Sequence, residues 1–238
     1  MRDTATITRR AALKRIGALS SLPALAALGG CAEFDPGYPP SATPRFAPVQ
    51  WPEGRERTAL VLGSGGPRGF AHIGVLKVLE AAGIEPALVV GSSAGAIAGA
   101  LYASKIAATE IERRALDLGL TDIADPALMQ PNRLIGRALQ NFVNTAVNDR
   151  VIEQLPRRFC AVAAVLGKPE LVAFTSGNTG AAVRASAALP SMFLPTPIGS
   201  VTYEDGDLVS PVPIRIARQL GATRVVAVDV SAFLEDTP

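Results

Sequence analysis

The sequence predicts an α/β fold, a three-layer α/β/α sandwich with a mostly parallel central sheet. Three observations carry that expectation. Thr58-Ala59-Leu60-Val61-Leu62 is a continuous apolar run closed by Gly63, the pattern of a strand buried on both faces. Ala87-Leu88-Val89-Val90 is a second such run, and Arg224 to Val230 is a third. Between the first two lie a glycine-rich loop and a helical pattern, so the order is strand, loop, helix, strand, tight turn, helix, the rhythm of packed α/β layers.

The N-terminal elements are set apart from this fold. Residues 8–14, Thr-Arg-Arg-Ala-Ala-Leu-Lys, resemble a twin-arginine export signal, with Ala12 where that pattern often has Phe. Ile16 to Leu28 is a run of 13 apolar or small residues, too short to span a bilayer and suited to a signal h-region. Leu28-Gly29-Gly30-Cys31 resembles a bacterial lipobox. The expectation is a signal peptide over 1–30, lipid on the Cys31 thiol, and a protein held in the cell envelope. Ala32 in place of an Asp favours the periplasmic side of the outer membrane in a Gram-negative host. Six prolines between Phe34 and Pro52 suggest an extended tether over 31–54. Residues 55–238 then form one domain.

Charge excludes one class of partner. The chain carries 23 basic and 21 acidic side chains. Residues 1–30 hold Arg2, Arg9, Arg10, Lys14 and Arg15 against Asp3, which leaves 18 basic and 20 acidic side chains in the remainder. The basic balance belongs to the leader, and no nucleic-acid partner follows from it. Two cysteines make no disulfide framework. Cys160, between Phe159 and Ala161-Val162-Ala163, reads as an inert residue of a buried strand.

Within the domain, Phe70, Ile73, Val75-Leu76 and Val78-Leu79 recur at helical spacing, with Lys77 and Glu80 outside and Gly83 as the stop. Ala94 to Ala103 is a small-residue helix. Thr109 to Leu155 is mainly helical by pattern, broken near Asp125-Pro126 and Gln130-Pro131-Asn132, and is the natural candidate for a lid. Cys160–Leu166 and Leu171–Phe174 suggest a hairpin around Gly167-Lys168-Pro169. Asn178 to Ala188 is a helix ended by Pro190.

Gly91-Ser92-Ser93-Ala94-Gly95 fits the G-x-S-x-G nucleophile elbow, in which a serine sits on a strained strand-to-helix turn. Alone it is equally a turn of small residues. The usual partner of such a serine is a downstream histidine, and the one histidine of this chain, His72, precedes the elbow. Gly63-Ser64-Gly65-Gly66-Pro67-Arg68-Gly69 follows a strand and opens a helix, where backbone N–H groups converge on an anion. Dinucleotide binding would need G-x-G-x-x-G and an acid ending the second strand; the spacing here is Gly63-x-Gly65-x-x-x-Gly69 and that strand runs into Gly91. The third motif is Asp205-Gly206-Asp207, which alone reads as a turn.

Together and in this order, the three motifs resemble the patatin-like phospholipase family. Leu62 to Ile84, Ala185 to Pro190 and Tyr203 to Ile214 carry the likeness further. The resemblance implies a patatin-like fold and a serine acyl hydrolase acting on phospholipid or other fatty-acyl esters through an acyl-enzyme, with no cofactor or metal. It implies Ser93 as nucleophile, Asp205 as proton acceptor in a two-residue dyad, and an oxyanion hole from Gly65, Gly66 and Arg68. Pro67 has no N–H to give. His72 is expected to hydrogen-bond near the loop. Two positions depart from the family pattern: many relatives have glycine at Ser64, and a small residue at Asp207. A second carboxylate near Asp205 could raise its pKa. These departures motivate an alternative, an envelope lipoprotein that keeps the fold as a lipid- or protein-binding module without turnover.

Overall fold

A computed structural model describes residues 36–51, 56–128 and 130–231. The expected signal peptide over 1–30 and Cys31 lie outside the described residues. The strands are β1 (Thr58–Leu62), β2 (Leu88–Ser92), β3 (Pro126–Ala127), β4 (Gln130–Leu134), β5 (Arg158–Val165), β6 (Leu171–Phe174), β7 (Thr196–Ile198), β8 (Val201–Asp205) and β9 (Arg224–Val228). The helices are α1 (Ala71–Ala81), α2 (Ala94–Ala103), α3 (Ala108–Asp117), α4 (Leu120–Ile123), α5 (Arg137–Ala146), α6 (Thr179–Ser186) and α7 (Ile214–Gln219).

The apolar runs form the parallel heart of one sheet, in the order β9-β1-β2-β5. Leu60 lies between Val89 and Val226, and Val90 pairs with Cys160. Beyond β5 the pairing turns antiparallel, with β6 and β8 on β5 and β7 on β8. The expected hairpin is the β5–β6 pair.

Alternation along the strands divides the core in two. Leu60, Leu62, Val89, Phe159, Ala161 and Ala163 face α1, α2, α5 and α6, meeting Leu76, Leu101, Tyr102, Val143 and Val183. Ala59, Val61, Leu88, Val90, Cys160 and Val162 face the other way, onto Ile216, Ala217 and Leu220. That third layer is thin. Among the described residues its one helix, α7, has six residues, so the sheet needs further cover.

Part of the cover is the proline-rich segment. Val49 and Trp51 pack on this second core, and Trp51 Nε1 donates to Leu220 O at 2.7 Å. Arg45 bridges Ser176, Asn178 N donates to Ala42 O at 2.6 Å, and Gln140 Nε2 donates to Pro36 O at 2.8 Å. Residues 36–51 are therefore a docked strap, and the expectation of a free tether fails there. Burial of Trp51 and Val49 against an uncovered sheet face outweighs the extended habit of the prolines.

Two other expectations are corrected. The breaks in the 109–155 stretch are the site of a small β3–β4 hairpin, which carries Leu134 onto Phe193. Phe70 and Val78 are 59% and 67% exposed, although their spacing matched the core face. His72, fully buried, takes the inward position.

Candidate active site

The serine elbow forms at the C-terminal tip of β2. Ser93 has φ 53° and ψ −122°, a conformation L-residues rarely adopt, and α2 starts at the next residue. The two flanking glycines are there for close approach. A Cβ on Gly91 would lie 2.4 Å from Ala96 Cα, and one on Gly95 would lie 2.1 Å from Leu62 O. Ser93 N donates to Ser186 Oγ at 3.0 Å, so a buried hydroxyl from α6 pins the turn.

The sheet brings Asp205 to this tip. Val162 of β5 pairs with Ser92 on β2 and with Ala173 on β6. The next residue, Ala163, pairs with Asp205 on β8 and with Val172 on β6. A strand has two edges, so β2 and β8 share one edge of β5 and meet there end to end. Ser93 Oγ donates to Asp205 Oδ2 at 2.7 Å. Asp207 N donates to Asp205 Oδ1 at 2.8 Å, and Asp205 N is held by Ala188 O at 3.1 Å. Gly206 is required by contact: a Cβ there would meet Val162 O at 2.3 Å and Ser92 Oγ at 2.7 Å.

Burial gives this carboxylate its chemistry. Asp205 is fully buried and Ser93 is 9% exposed. Desolvation pushes the Asp205 acid from 3.8 up to about 6, against the opposing bonds from Asp207 N and Ser93, with the Asp207 charge adding to the rise. An acid near 6 is a better proton acceptor close to neutral pH than an ordinary aspartate.

The glycine-rich loop runs from β1 into a 3₁₀ turn over Gly66–Phe70. Arg68 N donates to Gly65 O at 3.1 Å within that turn. This corrects the expected role of the Arg68 backbone, whose N–H is already spent. Among the described residues no acceptor takes the N–H of Gly65 or Gly66, which leaves both available to an anion. His72 Nε2 lies 2.7 Å from Gly63 O. A carbonyl can only accept, so Nε2 carries the proton and its tautomer is fixed. Burial also lowers the His72 pKa. The residue steadies the entrance of the loop, as expected.

Two partners were not anticipated. Ser186 stands in the Ala185–Pro190 segment whose likeness was noted, but nothing in its sequence distinguishes a hydroxyl aimed at another residue's N–H. Ser64 Oγ donates to Asp207 Oδ1 across 143 residues of chain. A cavity of about 380 Å³, lined by residues that include Arg113, Asp117 and Phe142, lies on α3 and α5 and contains no residue of the Ser93 site.

Comparison with known proteins agrees with this arrangement of motifs. The Patatin-like phospholipase family profile matches residues 60–218. The chain belongs to the patatin-like phospholipase family. It is 34% identical over 182 residues to human patatin-like phospholipase domain-containing protein 6, a match covering 73% of this chain and 13% of that protein. An uncharacterised NTE family protein of Mycobacterium tuberculosis is 33% identical over 178 residues, covering 74% of this chain and 49% of its own length. The chain thus spans half or less of these relatives. Among solved structures, VipD from Legionella pneumophila superposes with a TM-score of 0.57 over 70% of this chain and 50% of its own, at 15% identity, a likeness of fold.

Proposed function

We propose that this protein is a serine lipid acyl hydrolase, cleaving carboxylic esters of fatty acids, phospholipids among them. The observation that carries the reading is the buried hydrogen bond from Ser93 Oγ to Asp205 Oδ2, 2.7 Å long, at a strained elbow. Family membership supports the substrate class.

Asp205 accepts the hydroxyl proton as Ser93 Oγ attacks the ester carbonyl. The carbonyl oxygen takes the negative charge and is met by the Gly65 and Gly66 N–H groups. Collapse expels the alcohol, which takes the proton back from Asp205, and leaves an acyl-Ser93. Asp205 then takes a proton from water, whose oxygen attacks the acyl carbon; collapse releases the fatty acid, and the departing Ser93 Oγ takes the proton back from Asp205. The hole is as important as the base, since an aspartate remains a weaker base than imidazole.

The test uses the full chain, a fluorophosphonate probe and a chromogenic short-chain ester. Labelling at Ser93 and turnover abolished by Ser93→Ala are expected. Equal ester rates in the wild type and Ser93→Ala would remove Ser93 from the chemistry, and an unlabelled folded protein would favour the binding-module alternative. Lipid on Cys31 would place the enzyme on an envelope membrane. Mass spectrometry of the N-terminal peptide tests that, and an unmodified Cys31 thiol refutes it.

A further inference from the structure

We propose that Ser64 and Asp207 form a clamp that fixes the oxyanion loop to the turn bearing the catalytic base, which makes both of them positioning residues. The inference rests on the acyl-hydrolase reading above. It starts from one contact: the side chains of Ser64 and Asp207, 143 residues apart, are hydrogen-bonded to each other.

Ser64 is 2% exposed and is the one side chain between Gly63 and Gly66 that can hydrogen-bond. Its backbone N–H goes to Pro211 O at 2.8 Å, and Gly63 N goes to Val228 O at 2.9 Å. Backbone bonds therefore hold the loop up to Ser64. Beyond it, Gly65 and Gly66 have no side chain with which to be held, and paired glycines are the freest backbone available. The Ser64 hydroxyl is the last anchor before them, and it is bonded to the Asp207 carboxylate.

Asp207 reaches the other half of the site through its backbone. Its N–H donates to Asp205 Oδ1 at 2.8 Å, while Asp205 Oδ2 accepts from Ser93 Oγ at 2.7 Å. One residue thus touches the loop with its side chain and the base with its main chain. The chain of bonds runs from Ser93 through Asp205 and Asp207 to Ser64, beside the two donors of the hole. Preorganised donors stabilise an oxyanion because they need not reorient during reaction. The same bond gives the second carboxylate a partner on the loop.

The experiment compares Ser64→Ala, Asp207→Ala, their double variant, and the conservative Ser64→Thr and Asp207→Asn, all in the full chain. Ester kinetics, melting temperature and hydrogen exchange at the bonded amides of residues 64 and 207 are measured. Each alanine variant should lose about tenfold to a hundredfold in kcat, the range for one hydrogen bond to a charged group, with KM within about twofold. The double variant should be no worse than the poorer single one. Asp207→Asn keeps an acceptor for Ser64 and should recover to within about threefold of wild type. Exchange at these two amides should quicken about tenfold in each alanine variant. Unchanged exchange, additive losses in the double variant, or an Asp207→Asn as poor as Asp207→Ala would overturn the clamp. Faster exchange in a protein whose wild type neither labels nor turns over would instead overturn the hydrolase reading and leave the clamp standing. If Ser64→Ala fails to fold, Ser64→Gly supplies the same comparison.

Discussion

Asp205→Asn should inactivate the protein and stabilise it at once. The wild-type fold holds a carboxylate in a fully buried position, and its acid is pushed from 3.8 to about 6. At about 1.36 kcal/mol for each tenfold change in proton affinity, keeping that group ionised costs the fold about 3 kcal/mol. The folded pKa lies above the unfolded one, so the folded state binds the proton more tightly. The cost is absent below about pH 4, grows as pH rises toward 6, and is constant above. The amide of the variant is isosteric, has an oxygen for Asp207 N–H, and never ionises. At about pH 8 the variant should therefore melt higher by ~6–12 °C, taking about 2–4 °C per kcal/mol for a chain of this size. Near pH 4 the two proteins should melt together. Ester turnover should fall about 10²- to 10⁴-fold, the usual contribution of a general base. The assay is calorimetry of both proteins across that pH range beside ester kinetics. A melting difference independent of pH, or a wild type more stable than the variant at pH 8, would refute the desolvation argument.

Three further outcomes follow from the same geometry. The base must be ionised to act, so kcat/KM should rise through about pH 6 and fall about tenfold per pH unit below it; a flat profile between about pH 5 and 8 would exclude Asp205 as the group that titrates. Gly206→Ala places a Cβ 2.3 Å from Val162 O, so it should displace the Asp205 carboxylate and cost at least about a hundredfold in kcat, with ~1–3 kcal/mol of stability; near-normal kinetics would show that the turn has slack. Cys160 is fully buried and its thiol pKa is raised by desolvation, so peptide mapping after alkylation should find it modified only in denaturant; labelling in the native protein would contradict that burial.

Much of the sheet was legible because its central strands are buried on both faces and read as unbroken apolar runs. The elbow was legible because close approach forces glycine at positions 91 and 95. Asp205 was reached only by resemblance. Its proximity to Ser93 depends on two strands meeting on a third across 112 residues, and no local pattern encodes such a meeting. The β3–β4 hairpin was missed because its residues lie between two helical stretches and show no alternation. Phe70 and Val78 have helical spacing, yet the polar His72 takes the buried position because Gly63 O is there to accept a hydrogen bond from its Nε2. The strap was missed because proline content describes how a chain behaves in water, not which uncovered sheet face it can lie on. The Arg68 N–H was misassigned because a 3₁₀ turn consumes it, and the sequence Gly-Pro-Arg-Gly does not reveal the turn's bonding.

The end-to-end meeting of β2 and β8 on one edge of β5 has a consequence for fidelity of folding. A slip of β8 by one residue along β5 would bring Glu204 or Gly206 opposite Ala163 and send the carboxylate to the other side of the sheet. The same slip would swing Tyr203 out of the core, where its ring meets Phe174 edge to face at 5.1 Å. The packing that buries Tyr203 therefore also selects the register that aims Asp205 at Ser93, and the two are lost together.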